Sequence, residues 1–412
     1  MNKIVPLHPG SPYEAFADQG LLVFPPPTGI EVERFPGPAV QLPDGRIFIA
    51  LIRAPGVQLE LWRFTADGML DQGYGNGGGL QIPDSGFFTV SDVAVLADGK
   101  ILVYGLGREQ DTARLMRVTS QGVLDSGFGD GGFAWAPIPI GMNTTTRIAL
   151  LPDGQVICSG HGPSYSISTS WLMRFTVNGE IDHSFGEQGI VLLAPAGLRG
   201  PLAVMASGHI LATGVIDEGS ALVAKYRFDG SPEPTFGSGG YVTFVRIDGR
   251  QAVLHALALQ PDGKLVAAGR IGIDGMHTTD AVVLRLNNDG TLDGAFNDGQ
   301  PLVAIELGID SGDARAVAIQ VDGKIVVGGQ TAGLGQGVLF RLEESGAVDY
   351  GFGRPDFGAS LGYLGWTHTL EAGFFERVSR LALTSDGNLL VFGTTQVYEV
   401  PFERQYISKY SL

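Results

Sequence analysis

Short apolar runs separated by glycine-bearing turns recur along this chain at a nearly constant interval. QLPDGRIFIA, VLADGKILVYG, LLPDGQVICSG, VMASGHILATG, LQPDGKLVAAG, IQVDGKIVVGG and LTSDGNLLVFG share one design, an apolar run, an X-Gly turn and a second, largely β-branched run. The turns fall at Asp44, Asp98, Asp153, Ser207, Asp262, Asp322 and Asp386, at intervals of 54, 55, 54, 55, 60 and 64 residues. Runs this short, ended by Asp-Gly, predict β-hairpins in which the glycine takes a positive φ. A second motif alternates with the first. LMRVTSQGVLDSGFGDGG begins at Leu115, LMRFTVNGEIDHSFGEQG at Leu172 and LFRLEESGAVDYGFGRPD at Leu339, with further copies at Leu61, Val223 and Val283. It reads as a third strand, another turn and a fourth strand.

Seven four-stranded units predict an all-β, seven-bladed β-propeller of antiparallel blades, taken as a single domain over residues 1–412. Residues 16–24, FADQGLLVF, match the end of a unit, and residues 406–412, YISKYSL, match a third strand that then stops. The N-terminal strand is therefore expected to complete the last blade and close the ring.

The GDGG of the second motif invites a calcium-loop or phosphate-loop reading. Its repetition argues for scaffold, because GNGGG, GSGG and NDGQ share no acidic ligand and no helix follows these glycines. Arg63 and Asp71 are eight apart, as are Arg117 and Asp125, Arg174 and Asp182, Arg285 and Asp293, and Arg341 and Asp349. Lys225 and Glu233 keep the spacing in the fourth unit. With a hairpin turn midway, the two residues should face each other as a brace inside each blade, worth about 0.2–1 kcal/mol if exposed.

The alternating LxxDGKIxVxG and LxRxxxxGxLDxxFGxxG motifs resemble the delta-60 repeats of bacterial proteins over about residues 16–412. The resemblance implies a propeller and a bacterial origin, and it implies no activity, so it transfers no functional residue. Ser207-Gly208, Phe296-Asn297 and Gly353-Arg354-Pro355 depart from the pattern, which bears on local turns only.

Composition narrows the function classes. Sixty-two glycines suit many tight turns, and 44% hydrophobic residues give ample core. A net charge of −16 argues against nucleic acid as partner and against adsorption to anionic membranes. The single cysteine, Cys158, excludes an internal disulfide and reads as a buried hydrophobe. No signal-like h-region or transmembrane-length apolar run is present, so membrane insertion is not expected and the cytoplasm is the default, with signal-less export open. A monomer is expected, with no cofactor and no metal.

Counting back from each hairpin turn, the mouth of the central channel should carry Asp92, Arg147 and Arg380 six residues before it, and His255 and Arg315 seven before. Arg377 and Asp313 lie nearby, and the arginines would suit a carboxylate or sulfate unless Asp92, Asp313 and Glu376 pair with them. Tyr363, Trp366, His368 and Tyr398 form an aromatic set in the longest loops, suited to stacking on sugars or anchoring a protein, or else packing those loops. The histidines form no metal or triad motif, so no residue receives a catalytic role. The reading is a non-catalytic binding or scaffold propeller recognising a protein or carbohydrate through its variable-loop face, with a channel-mouth hydrolase or lyase and a lectin as alternatives.

Overall fold

The computed structural model describes residues 8–24, 34–35, 37–53, 57–109, 111–139, 144–162, 170–193, 196–197, 200–216, 220–244, 250–272, 279–300, 302–305, 312–331, 335–353, 366–369, 374–396 and 403–412. Its strands form seven antiparallel sheets, the seven blades. Blade two is typical: Phe87–Val95, Ile101–Gly107, Thr112–Val118 and Phe133–Pro137 run in sequence order from the channel outwards. In blades one and four the inner strand is interrupted, as Arg34–Phe35 plus Ala39–Gln41 and as Ala196–Gly197 plus Leu202–Val204. Blade seven pairs Leu21–Phe24 with Glu403–Ser411, Leu21 opposite Ser408 and Phe24 opposite Gln405. The first strand of the chain thus completes the last blade, as expected.

Apolar residues on both faces of each middle strand make the core. Ile157, Leu172, Phe185, Ile210, Leu222 and Tyr226, for example, form one cluster between blades three and four, and seven such layers separate the blades. Cys158 lies fully buried in one layer, and burial pushes its thiol up, away from the reactive range.

The hairpin glycines take the expected positive φ, from +79° at Gly99 and Gly387 to +87° at Gly263. The aspartate before them caps the turn: Asp98 Oδ1 accepts from Lys100 N at 3.1 Å and Asp262 Oδ1 from Lys264 N at 3.0 Å.

The second motif is scaffold, but its braces reach further than the sequence implied. Arg63, Arg117, Arg174, Arg285 and Arg341 each put Nε within 2.7–2.9 Å of the aspartate eight residues on. Each guanidinium also stacks on the Tyr or Phe of its own blade, at 4.5 Å for Arg117 over Phe128 and 4.9 Å for Arg174 over Phe185. In four of the five, Nη1 then crosses to the next blade, Arg117 to Val177 O at 2.7 Å and Arg285 to Glu344 O at 2.6 Å, with Arg63 and Arg174 bonded to Ser120 O and Phe228 O in the same way, whereas Arg341 Nη1 donates to Gln320 Oε1 of its own blade at 3.5 Å. These are buried inter-blade clasps and not exposed pairs inside a blade. The lysine after the first turn joins the same carboxylate, as Lys100 does with Asp125 at 3.0 Å and Lys324 with Asp349 at 2.8 Å. Both short turns of a blade therefore share one face of the disc.

Blade four corrects the expectation for Lys225 and Glu233, which form no ion pair. Lys225 Nζ bonds Asn288 Oδ1 at 2.7 Å and Asn288 O at 3.1 Å in blade five, while Glu233 takes Arg227 at 3.2 Å and His209 at 3.1 Å. A guanidinium fork serves a carboxylate and a carbonyl together, whereas this ammonium is used up on the neighbouring blade.

Backbone bonds complete each seam. The residue after the aromatic donates to the turn of the following blade, Gly129 N to Asn178 O at 2.7 Å and Gly186 N to Asp229 O at 2.8 Å. Ala17 N to Asp67 O at 2.6 Å and Gly353 N to Pro9 O at 3.0 Å carry the pattern across the closure. The turn glycine receives the preceding blade's ring: at Gly346, with φ +95°, a Cβ would lie 2.6 Å from Phe296. No other residue fits there without displacing the ring.

Candidate functional site

The inner strands share a feature that the sequence pattern does not announce. Each uninterrupted one carries an irregularity at the same height. Val90 pairs Gly105 and Asp92 pairs Tyr104, leaving Ser91 extra; His255 is extra between Leu254 and Ala256, Arg315 between Ala314 and Ala316, and Ser379 between Val378 and Arg380. In blade three Thr146 and Arg147 together face Ser159. Blades one and four replace the bulge with Gly37-Pro38 and Gly200-Pro201, where their inner strands break. A bulge re-aims side chains and increases local twist, which here turns two consecutive residues towards the channel.

The signal for this was in the sequence. Gly105, Gly160, Gly269, Gly329 and Gly393 end the second run of their units and stand opposite the bulges. A Cβ on Gly269 or Gly329 would overlap the carbonyl oxygen of Val253 or Asp313, so only glycine lets the bulged strand approach. The offset of six against seven residues in the candidate set is the bulge itself, since both positions face inwards.

Together the belt borders an open cavity of about 350 Å³ lined by all seven blades. All five channel candidates, Asp92, Arg147, His255, Arg315 and Arg380, line it. They sit near the middle of the inner strands and not at their ends; Arg147 is central in Thr144–Leu150, and His255 in Gln251–Leu259.

The five are not equivalent. Arg380 Nη2 bonds Asp92 Oδ1 at 2.7 Å, and its Nη1 donates to Ala39 O at 3.2 Å. Asp92, 2% exposed, also accepts from Val93 N at 2.9 Å and Ile148 N at 3.1 Å. That pair ties blades seven, one, two and three together, and its hydrogen-bonding capacity is largely spent. On the other side, Asp313 is buried with Oδ2 at 2.7 Å from Arg315 Nη2 and Oδ1 at 3.3 Å from His255 Nε2. Neither approach is aligned as a hydrogen bond, and both carboxylate oxygens, His255 Nε2 and Arg315 Nε have no hydrogen-bond partner among the described residues. Burial drives the His255 pKa down to about 4, against the pull of Asp313 and with help from Arg315, Arg270 and Arg377, so the imidazole is neutral at pH 7. Arg147 donates to Thr146 O at 3.4 Å and has no carboxylate within ion-pair distance among the described residues. Two of the expected neutralising pairs therefore exist, Asp92 with Arg380 and Asp313 with Arg315. Glu376 accepts from Thr369 Oγ1 at 2.6 Å and Gly337 N at 3.3 Å.

The aromatic candidates fall elsewhere. Trp366 and His368 belong to Trp366–His368, the outermost strand of blade six, paired with Gly337–Leu342 and remote from the inner belt. Tyr363 and Tyr398 lie outside the described residues. Among the described residues no cluster of three or more His, Cys, Asp or Glu could hold a metal ion.

A family model described as a domain of unknown function (DUF5122) beta-propeller matches residues 96–128, 260–296 and 320–352. The match is to a β-propeller family. It covers parts of the second, fifth and sixth units, each running from the first hairpin turn to the recurring aromatic of the second motif. No curated protein sequence matches the chain. Among solved structures, the polysaccharide lyase Uly1 is similar at 11% identity and TM-score 0.52, over 91% of this chain and 90% of that one. Prolyl oligopeptidase B from Galerina marginata, in its apo form, is similar at 10% identity and TM-score 0.50, over 92% of this chain and 49% of that one. At such identities the likeness is one of fold alone.

Proposed function

We propose that the protein is a non-catalytic binding propeller that receives an anionic group in its central channel, either a small acid or the acidic end of a protein or carbohydrate partner. The observation that supports this most is the distribution of charge in the belt. At two equivalent positions around seven blades, the repeat places Gly-Pro twice and ionisable residues in the remaining five. Among the described residues Arg147 has no carboxylate partner, and Arg315 meets Asp313 at 2.7 Å with its Nε left without a partner, in a protein whose net charge is −16. Guanidinium groups lining a cavity favour planar anions such as carboxylate and sulfate. Larger partners would add contacts on the variable-loop face. The repeats, of the delta-60 kind, assign no activity of their own.

Calorimetric titration of wild type and of Arg147→Ala/Arg315→Ala with acetate, sulfate and acidic oligosaccharides tests the reading. Saturable binding that the double variant abolishes supports it, and equal binding by both proteins rejects it. One observation favours an enzymatic alternative: a neutral imidazole at His255, beside arginines, is the state a general base needs. Turnover of an acidic sugar substrate that His255→Ala abolishes would establish that alternative.

A further inference from the structure

The cavity is not symmetric about the channel. Six blades contribute only residues of the inner strand, whereas blade seven adds Phe392 and Thr394 from its second strand and Gln405 from its third. Facing these across the seam with blade one are Gly37, Pro38 and Ala39, where the inner strand of that blade is broken. This stretch of the lining is the recess between blades seven and one, bridged by Arg380, whose Nη1 donates to Ala39 O at 3.2 Å. Gln405 pairs Thr394 in the sheet and shares its face, so the recess has a polar wall of one amide and one hydroxyl. Gln405 is 3% exposed, and its Oε1 has no hydrogen-bond partner among the described residues. A buried amide oxygen without a donor is unfavourable, and a hydroxyl brought against it would supply the missing donor.

We infer that the recess between blades seven and one is a second subsite, in which Gln405 and Thr394 select a hydroxylated ligand while Arg147 and Arg315 hold its anionic group. The inference rests on the channel reading above. A hydroxyl both donates and accepts, so it satisfies the amide in either orientation and the threonine as well. Combined with a carboxylate or sulfate at the arginines, this describes a polyhydroxylated acid. A cavity of about 350 Å³ lies at the small end of ligand sites, which run to roughly 300–1,000 Å³, and so favours a single sugar-sized unit over an extended chain.

Acetate and sulfate probe the anion site alone, and D-glucuronate probes both subsites. Calorimetry on the full chain should show D-glucuronate binding at least about tenfold tighter than acetate, the worth of roughly one well-made hydrogen bond to a buried group. Gln405→Leu should cut that preference below about threefold and leave acetate affinity unchanged; Thr394→Val, a near-isosteric change at a half-buried site, should lower it in the same direction if the leucine variant does not fold. Glucuronate binding no tighter than acetate, or a preference that survives both variants, overturns the subsite while leaving the anion site standing. Failure of all three probes to bind overturns the channel reading, and the subsite with it.

Discussion

The seams between blades and the belt around the channel are built from the same repeat and behave in opposite ways. At the seams a position repeats its chemistry: arginine on an aromatic ring at 4.5–4.9 Å, its Nε on an aspartate, a glycine against the neighbouring ring. In the belt a position changes its chemistry from blade to blade, through Ser, Thr, His, Arg and Gly. A repeat protein carries its own internal comparison. What recurs at equivalent positions answers a demand that every blade shares, which is packing and closure. What varies there answers a demand made once for the whole ring, which is how a single ligand site arises from seven near-copies.

That contrast can be broken in a definite order. Arg174→Ala removes a fully buried guanidinium and strands Asp182, so it should cost about 3–5 kcal/mol in denaturant unfolding. Lys225→Ala, which breaks no ion pair, should cost much less, about 1 kcal/mol. Equal losses would mean that the clasp is not what holds the seams.

Acid provides the second test. His255 is held near 4 in the fold, below the ordinary histidine value of about 6.5, so the unfolded chain binds the extra proton first. Stability contributed by the neutral ring is therefore complete above about pH 6.5 and is lost as the pH falls towards 4, by roughly 2–3 kcal/mol. Burial raises the pKa of both Asp293 and Asp386, but Lys264 and Arg285 hold the first, and Lys409 and Thr384 the second, near 2, so they lose theirs only below about pH 4. His255→Asn should flatten the unfolding free energy between pH 6.5 and 4 and leave the steeper acid limb in place. A wild-type profile already flat in that window would contradict the buried neutral ring.

Gly346→Ala should cost about 2 kcal/mol, since φ is +95° and the new methyl meets Phe296. The smallest effect is expected where the belt has no structural duty: Arg147→Ala should change stability by less than about 0.5 kcal/mol while removing anion binding. A large loss of stability there would move Arg147 into the scaffold.

The sequence carried the strands, the seven units and the closure, because hydrophobic periodicity and Asp-Gly turns are local and were written seven times. It also brought the five belt residues to one level, since counting from a hairpin turn is reliable within one strand. Three things escaped it. The bulges depend on hydrogen-bond register, although the glycines at 105, 160, 269, 329 and 393 marked them. The reach of Arg63, Arg117, Arg174 and Arg285 into the next blade depends on blade spacing. That Asp92 would neutralise a channel arginine was expected, but that the arginine is Arg380, 288 positions away, is decided by the closed ring.

The closure at Leu21–Phe24 also sets a timetable. A chain emerging from the ribosome can stack its blades as they appear, but this early strand stays without its partner until residues 403–411 follow. At synthesis rates of roughly 5–20 residues per second, the wait is about 20–80 s. Throughout that interval the growing disc has two unfinished flanks, and its first apolar strand is available to any other open edge it meets. For this protein, crowding by nascent copies of itself is the hazard that the architecture builds in.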